Sequence, residues 1–215
     1  MKILIACEES DEVRSRFEKM GFDAWSCDLQ PSRNPNNKKH YQGNIFDILY
    51  NDWLCMIAFP PCTHLAVSGA AWFEQKRKDG RQQEAIDFFL KIADSNIKHT
   101  AIENPVGIMS KYYKKPTQII QPYYFGDKAQ KTTCLWLENL PLLYHNEKPN
   151  LFDDKITHVQ PEGNIMFGNK MYSWTNNKWF KSKEERSRER SKTFPGIAEA
   201  MATQWGNYLI QKYKL

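Results

Sequence analysis

In the stretch Ile57-Ala58-Phe59-Pro60-Pro61-Cys62-Thr63-His64-Leu65, an apolar run is followed by two prolines and a cysteine. The apolar run that leads into it, Leu54 to Phe59, predicts a buried strand. Pro60 and Pro61 end this strand, because proline has no backbone N–H to donate to a sheet. Cys62 therefore lies on a stiffened turn just beyond the carboxyl end of a central strand, which is where ligands bind in open α/β sheets.

A second strand end carries a carboxylate. The run His99 to Glu103 predicts a strand, and Asn104-Pro105 follows it directly. A thiol and a carboxylate at two such strand ends are the groups that covalent catalysis with acid assistance requires. We therefore predict Cys62 as a nucleophile and Glu103 as the acid that assists it.

The segments around these two strands alternate between strand and helix patterns. Lys2 to Ala6 and Asp23 to Cys27 predict strands, and the helix between them is expected to be capped by Ser10 or Asp11. Gln82 to Lys98 is the clearest helical pattern in the chain. Because strand, helix and strand repeat in order, we expect an α/β, Rossmann-like doubly wound sheet.

The second half of the chain predicts a closing helix and a basic segment. Ile197 to Tyr213 is the helix, and its apolar face is formed by Ile197, Met201, Trp205 and Leu209. Lys178 to Lys192 carries seven Lys or Arg residues against three Glu, a net charge of 7 − 3 = +4. This segment suits either a solvated helix face or a DNA-binding patch. We expect a core over 1–141, a small recognition or insert region over 142–192, and a C-terminal helix over 193–215 that packs back on the core.

The composition, 41% hydrophobic and 26% charged over 215 residues, is that of a soluble globular protein. No apolar run approaches the roughly 20 residues that span a bilayer, and no signal peptide is visible, so we expect a cytoplasmic protein with no membrane partner. Five scattered cysteines without a Cys-x-x-Cys pair argue against a disulfide framework and against a metal site. A net charge of +5 permits a nucleic-acid partner without requiring one.

With the two strand ends placed, the first two-thirds of the chain resembles the cytosine-5 DNA methyltransferase family. Pro60-Pro61-Cys62 looks like the family's Pro-Cys nucleophile motif, and Glu103-Asn104-Pro105-Val106 looks like its Glu-Asn-Val motif with one residue inserted. Asp28, at the end of the second strand, matches the acidic residue that holds the ribose of S-adenosylmethionine. Gly43-Asn44-Ile45 resembles the stretch that contacts the adenine. The chain is most similar to the short, phage-type DNA methylases, and a phage origin would place it in the host cytoplasm.

The resemblance implies the fold of the S-adenosylmethionine-dependent methyltransferases and a DNA (cytosine-5-)-methyltransferase activity. A methyl group would pass from S-adenosyl-L-methionine to C5 of a cytosine flipped out of DNA, while Cys62 is bonded to C6. The implied cofactor contacts are Cys7, Glu8, Glu9, Asp28, Asn44 and Pro60. The implied substrate contacts are Pro61, Thr63, Asn104, Pro105 and Lys131. The chain specifies neither the target DNA sequence nor the oligomeric state.

Several residues depart from the family's pattern. Cys7-Glu8-Glu9-Ser10 contains no glycine where the family has a Phe-x-Gly-x-Gly turn, and Thr63 replaces a glutamine. Glu8 and Glu9 could equally be charges that favour a helix N-terminus. The family's Arg-x-Arg motif is not evident, and Lys131-Thr132-Thr133 is its nearest counterpart.

Three other functions therefore stay open. One is an enzyme of the same fold that acts on free pyrimidine nucleotides. Another is a catalytically idle relative that binds nucleic acid or a partner protein. The third is a cysteine hydrolase, which requires a hydrogen bond between His64 and Cys62.

Overall fold

The computed structural model describes residues 1–145, 159, 161, 166–167, 170–171 and 182–214, and the statements of structure below concern these residues. The strands are β1 (Lys2–Ala6), β2 (Asp23–Asp28), β3 (His40–Gln42), β4 (Cys55–Ala58), β5 (His99–Pro105), β6 (Gln118–Ile120), β7 (Thr133–Glu138), β8 (Met166–Phe167) and β9 (Lys170–Met171). The α-helices are α1 (Arg14–Lys19), α2 (Phe73–Lys78), α3 (Arg81–Ala93), α4 (Met109–Tyr112), α5 (Lys183–Ser191), α6 (Pro195–Ala200) and α7 (Gly206–Tyr213).

Seven of the strands form one sheet in the order β3-β2-β1-β4-β5-β7-β6. Strands β1 to β5 run parallel to one another, and β7 lies antiparallel between β5 and β6. Parallel strands that are connected by helical crossovers make a doubly wound sheet. The antiparallel strand β7 agrees with the methyltransferase-type fold that the resemblance implies. The predicted fold class is therefore confirmed. Strands β8 and β9 pair separately.

Alternate residues of the central strand enter two hydrophobic cores, one on each face of the sheet. Ile3 and Ile5 of β1 belong to the core that includes residues of α1, α6 and α7. Leu4 and Ala6 belong to the core that includes residues of α3. All four side chains are fully buried. Because helices close both faces, the strand ends are the part of the sheet where a ligand can approach.

The carboxyl ends of four parallel strands meet at one edge of the sheet. Ala6 of β1 pairs with Cys27 of β2 and with Ala58 of β4, and Ala58 pairs with Ile102 of β5. Strand β1 has β2 on one side and β4 on the other, so the chain connections leave it in opposite directions. This edge is the topological switch point of the sheet, the usual ligand site in doubly wound folds.

The closing helix consists of α6 and α7 joined by a π-helical turn, Met201–Trp205. The predicted apolar face is confirmed, since its members are at most 3% exposed: Ile197, Met201, Trp205 and Leu209. The indole N–H of Trp205 donates to the Pro141 carbonyl at 2.8 Å, which pins the helix to the segment after β7.

The cap of α1 differs from the prediction, which named Ser10 or Asp11. The Glu8 carboxylate accepts the N–H of Val13 at 2.7 Å and that of Arg14 at 3.1 Å. Two carboxylate oxygens can serve both amides at once, and their negative charge suits the positive end of the helix dipole. Asp11 instead binds the Arg14 guanidinium.

The predicted recognition region, 142–192, falls largely outside the described residues, and its tryptophans Trp174 and Trp179 do so entirely. What the structure describes of it includes 142–145 and helix α5. Helix α3 ends at Ala93, earlier than the sequence pattern suggested. No helix within the described ranges is both long enough and apolar enough to cross a membrane.

Candidate active site

The loop after β4 places Cys62 at the carboxyl edge of the sheet. The backbone N–H groups of Leu65 and Ala66 both donate to the Cys62 carbonyl, at 3.0 and 2.9 Å. Cys62 is half-buried, while Pro61 and Thr63 on either side of it are exposed. The backbone of the turn is thus closed on itself around the thiol-bearing residue.

Three buried side chains from three different elements hold the carbonyl groups of this loop. Their hydrogen bonds run from Asn104 Nδ2 to Pro60 at 2.8 Å, from Lys76 Nζ to Thr63 at 2.7 Å, and from Gln82 Nε2 to His64 at 3.2 Å. Asn104 belongs to β5, Lys76 to α2 and Gln82 to α3, and each is less than a tenth exposed. A sharp turn leaves carbonyls without backbone donors, and these side chains supply the missing bonds.

Gly107 allows the chain after β5 to lie directly against the loop that carries Cys62. The N–H of Ile108 donates to the Leu65 carbonyl at 3.0 Å, and Gly107 forms an isolated bridge with Ala66. A Cβ atom on Gly107 would lie 2.3 Å from the Leu65 carbonyl oxygen, well inside contact distance. Only glycine fits this approach without displacing the loop.

Glu103 and two cations act on the ionisation of Cys62. Burial raises the pKa of the Cys62 thiol and the charge of Glu103 raises it further, while Lys131 and Arg190 lower it. Burial also raises the pKa of the Glu103 carboxyl, against the charge of Lys131 and a hydrogen bond from Thr133. A carboxyl with a raised pKa keeps its proton to higher pH, as a general acid must. Once protonated, Glu103 no longer opposes thiolate formation at Cys62.

Asn104 joins the ends of β4 and β5. Its amide nitrogen donates to the Pro60 carbonyl and, at 3.1 Å, to the Glu103 carbonyl. Its Oδ1 is buried and accepts no hydrogen bond within the part of the chain that the structure describes. Pro105 follows as the last residue of β5 and is half-buried. Asn104 therefore holds the loop in place through its amide nitrogen, while its amide oxygen stays available as an acceptor.

His64 does not form the arrangement that a cysteine hydrolase requires. No hydrogen bond joins it to Cys62 in the described part of the chain, and its buried Nδ1 has no partner there. Burial lowers the pKa of the His64 imidazole, and the nearby Lys76 lowers it further. The hydrolase alternative thus has no support from the geometry.

The turn after β1 is sharp even though it contains no glycine. Cys7 takes a φ of +59°, in the left-handed region that glycine favours. Holding a side chain there costs on the order of 1–2 kcal/mol. The next residue, Glu8, is 4% exposed, and burial raises the pKa of its carboxyl to about 7. Its hydrogen bonds to α1 match the helix N-terminal alternative.

Glu9 is bound by two guanidinium groups. Arg33 Nη2 lies 2.7 Å and Arg188 Nη2 lies 2.6 Å from its carboxylate oxygens. Burial raises the pKa of Glu9, but the two arginines outweigh this and lower it overall. Arg188 belongs to α5, so the basic segment reaches the turn after β1.

Asp28 and Asn44 lie at the next strand end along the edge. Asp28 Oδ1 accepts the N–H of Gln30 at 2.9 Å, and burial raises the pKa of its carboxyl. No salt bridge reaches Asp28 within the described residues, and the neighbouring Leu29 is 71% exposed. Asn44 Oδ1 caps a 3-10 turn by accepting the N–H of Phe46 at 3.1 Å. The Asp28 carboxylate is thus half-buried, and its sequence neighbour Leu29 is an exposed apolar side chain.

Arg190 and Leu29 are site candidates that the sequence did not single out. Arg190 lies in a run where basic residues alternate with polar ones, so its neighbours look alike in sequence. Leu29 comes directly after the predicted strand that leads to Asp28, and this position next to a strand end was the available signal. Within the described residues, no group of three or more His, Cys, Asp or Glu side chains could hold a metal ion.

Neither a protein-family model nor a curated protein matches the chain. Among solved structures, the chain is similar to an E. coli protein described as a DNA modification methyltransferase encoded within a prophage. The two share 14% sequence identity over 64% of this chain, with a TM-score of 0.41. The match covers 46% of that protein, so this chain spans less than half of its length. The fold assignment rests on the strand order, and no function is taken from this likeness.

Proposed function

We propose that this protein transfers a methyl group from S-adenosyl-L-methionine to C5 of cytosine in DNA, through a covalent bond between Cys62 and C6. One observation supports the proposal above all others. Cys62 follows β4 and Glu103 lies on the adjacent parallel strand β5. Ala58, the last residue of β4, pairs with Ile102, which directly precedes Glu103. The two groups that this chemistry needs are therefore brought to one edge of a sheet of the appropriate fold.

The proposed chemistry begins at C6 because C5 of cytosine is a weak nucleophile. Cys62 Sγ, as thiolate, bonds to C6 while Glu103 donates a proton to N3, and the ring becomes an enamine that is nucleophilic at C5. S-adenosylmethionine, when bound, supplies a methyl group attached to a positively charged sulfur. After transfer, C5 gives its proton to a water molecule while the C6–S bond breaks, which releases the Cys62 thiolate and restores the ring, and the N3 proton returns to Glu103. A cytosine in duplex DNA must first be flipped out, at a cost of a few kcal/mol.

The proposed cofactor contacts follow the strand ends. Asp28 would accept hydrogen bonds from the ribose hydroxyls, with Leu29 and Asn44 beside the adenine. Cys7 and Glu9, on the turn after β1, and Pro60, at the start of the nucleophile loop, would line the rest of the site. We take Glu8 as the residue that shapes this turn, because α1 already binds its carboxylate.

Calorimetry with S-adenosylmethionine tests the cofactor. We expect micromolar binding by the wild type and at least a tenfold loss in Asp28→Ala, about 1.4 kcal/mol or more. Asp52→Ala, an exposed acidic residue just before β4, is the matched control and should bind normally. If the wild type shows no binding, methyl transfer is excluded as the activity.

Trapping with DNA that contains 5-fluorocytosine tests the covalent step, because fluorine at C5 blocks the last elimination. We expect a stable adduct on the peptide that carries Cys62 and none in Cys62→Ser. Cys55→Ala removes a fully buried thiol from β4 and is the control that should still form the adduct. Glu103→Gln should form it more slowly. An adduct on another cysteine would contradict the assignment.

The idle relative remains a second candidate because side chains occupy the turn after β1. Glu8 is bound to α1, and Glu9 is bound to Arg33 and Arg188, so two of the proposed contacts are already paired. This candidate predicts no cofactor binding and no adduct, and it predicts that Cys62→Ser keeps the biological activity. The two experiments above therefore separate it from the methyltransferase.

A further inference from the structure

Two cationic residues meet at the carboxyl edge of β5. Thr133, the first residue of β7, pairs with Pro105, and Lys131 lies two residues before it, so Lys131 sits beside the end of β5. Lys131 Nζ donates to the backbone carbonyl of Arg190 at 3.2 Å. A residue from the loop before β7 and a residue from α5 are thus brought together next to Glu103.

Helix α5 is held in this position by its own charged residues. Arg188 binds Glu9 at 2.6 Å and Lys192, just after the helix, binds Glu12 at 2.6 Å. Glu189 of the same turn binds Arg33 of the loop after β2, also at 2.6 Å. These ion pairs fix the last turn of α5 on the turn after β1, and Arg190 is part of that last turn.

In the part of the chain that the structure describes, the charges of Lys131 and Arg190 have no counter-ion. Within the described residues, neither side chain forms a salt bridge, whereas the three charged residues around Arg190 each form one. Both positive charges reach the Cys62 thiol, and Lys131 also acts on Glu103. When Glu103 is protonated, its negative charge no longer offsets the positive charges of Lys131 and Arg190.

We propose that Lys131 and Arg190 bind a phosphate group of the substrate that carries the pyrimidine, next to the Cys62–Glu103 pair. The proposal rests on the proposed function, since it adds a subsite to the same site. A guanidinium offers a planar pair of donors that matches phosphate oxygens, and an ammonium adds a point charge. The phosphate could be the diester of a DNA strand or the monoester of a free nucleotide, and the two share this chemistry.

The subsite would position the substrate without reading its sequence. Contacts to phosphate fix the register of a nucleotide, whereas contacts to base edges carry the specificity. A phosphate held by Lys131 and Arg190 would place the attached pyrimidine ring within reach of the nucleophile. Its affinity should fall with salt, because bound counter-ions are released from the nucleic acid.

The test compares three probes in equilibrium binding: 2′-deoxycytidine, its 5′-monophosphate and a short single-stranded oligodeoxycytidylate. Single strands need no base flipping, so the comparison isolates the phosphate. We expect Lys131→Gln and Arg190→Gln each to weaken binding of a phosphate-bearing probe about tenfold. Binding of the uncharged nucleoside should not change. Lys98→Gln, which removes a charge at the opposite end of β5, is the matched control, and thermal unfolding checks that each variant is folded.

The probes distinguish the two sources of phosphate. Loss of affinity for the oligonucleotide, with the slope of log K against log salt reduced by about 0.7, indicates the diester of a single strand. If Lys131→Gln and Arg190→Gln lose affinity only for the 5′-monophosphate, the substrate is a free nucleotide. If the wild type binds neither probe better than the nucleoside, or if both variants bind like Lys98→Gln, the proposal is wrong.

Failure of the subsite and failure of the methyltransferase are separate results. Binding of these probes requires neither the cofactor nor the thiol, so Cys62→Ser should keep the difference between phosphate-bearing and uncharged probes. A protein that binds phosphate through Lys131 and Arg190 but never forms the Cys62 adduct would retain the subsite and lose the proposed reaction. Adduct formation that is insensitive to Arg190→Gln and Lys131→Gln would retain the reaction and exclude the subsite.

Discussion

Among the single residues, Cys62 has a negatively charged neighbour, Glu103, and a positively charged neighbour, Lys131, which act on its thiol in opposite directions. Burial raises the pKa of its thiol, Glu103 raises it further, and Lys131 lowers it. Because the thiolate is the reactive form, Glu103→Gln should speed alkylation by iodoacetamide at mildly alkaline pH and Lys131→Gln should slow it, each by roughly threefold. Mass spectrometry of the Cys62 peptide measures the rate, with Lys98→Gln as control. Equal rates in all variants would contradict this electrostatic account.

Gly107 leaves no room for a side chain beside the loop that carries Cys62. A Cβ at this position would overlap the Leu65 carbonyl oxygen, so Gly107→Ala should lower the free energy of unfolding by about 1–3 kcal/mol. Urea denaturation measures the loss. Val106→Ala changes the exposed neighbour and should stay within about 0.5 kcal/mol of the wild type. A stable Gly107→Ala protein would show that the loop can move away.

Glu8 gives the stability a pH dependence. Its pKa is about 7 in the folded protein, against 4.5 for the free side chain. A carboxyl with a raised pKa binds more protons when folded, so its contribution is complete below about pH 4.5 and is lost as the pH rises through 7. The free energy of unfolding should therefore change less between about pH 4.5 and 7 in Glu8→Gln than in the wild type, by roughly 1–3 kcal/mol. Urea unfolding at several pH values tests it, and an unchanged slope would exclude Glu8 as the titrating group.

Among the secondary-structure elements, α2 contacts the loop that carries Cys62 through the buried side chain of Lys76. Lys76→Met removes the hydrogen bond to the Thr63 carbonyl and should cost about 1–3 kcal/mol. The amides of Leu65 and Ala66, which close the turn, should then exchange hydrogen faster. Arg77→Met, on the exposed side of the same helix, is the control. Unchanged exchange in Lys76→Met would mean that the turn is stable without α2.

Most strands and the closing helix could be predicted because their sequence signals are local. Two prolines end β4, one proline ends β5, and the apolar face of 197–213 repeats at helical spacing. The cap of α1 could not be predicted, because Glu8 reaches an amide five residues away across a sharp turn. The role of Lys76 could not be predicted either, because Lys76, Arg77 and Lys78 are three consecutive basic residues and only the packing of α2 decides which side chain turns inward.

For the candidate site, the sequence predicted where the reactive residues lie but not what holds them. Asp28 ends β2 and Cys62 lies beyond the end of β4, as predicted, because those ends are marked by a change in polarity or by proline. Glu103 was predicted at a strand end but lies two residues inside β5, which continues to Pro105. The partners of Glu9 could not be predicted. Arg188 is 179 residues away in the chain, and such a contact leaves no local pattern.

At the scale of the whole molecule, α5 connects the basic segment to the turn after β1. Glu9→Gln weakens the salt bridges to Arg33 and Arg188, each worth about 0.5–1 kcal/mol at a partly exposed site. Hydrogen exchange across α5 should therefore become roughly two- to fivefold faster. Added salt should have the same effect on the wild type. Glu199→Gln, which removes an exposed pair with Arg16, is the control, and slow exchange in Glu9→Gln would exclude this linkage.

The position of β1 has a consequence for biosynthesis. This strand is made early, yet Ile3 and Ile5 are covered by a helix at 195–213 that the ribosome makes much later. A nascent chain must therefore keep the apolar side of its central strand out of aggregates, a task that falls to chaperones. A premature stop before residue 182 would leave Ile3 and Ile5 uncovered, and it would remove α5 from the carboxyl edge of the sheet. We expect such a truncated product to be degraded and to have no activity. During synthesis, the chain would likewise stay inactive until the helices at 183–213 have emerged from the ribosome.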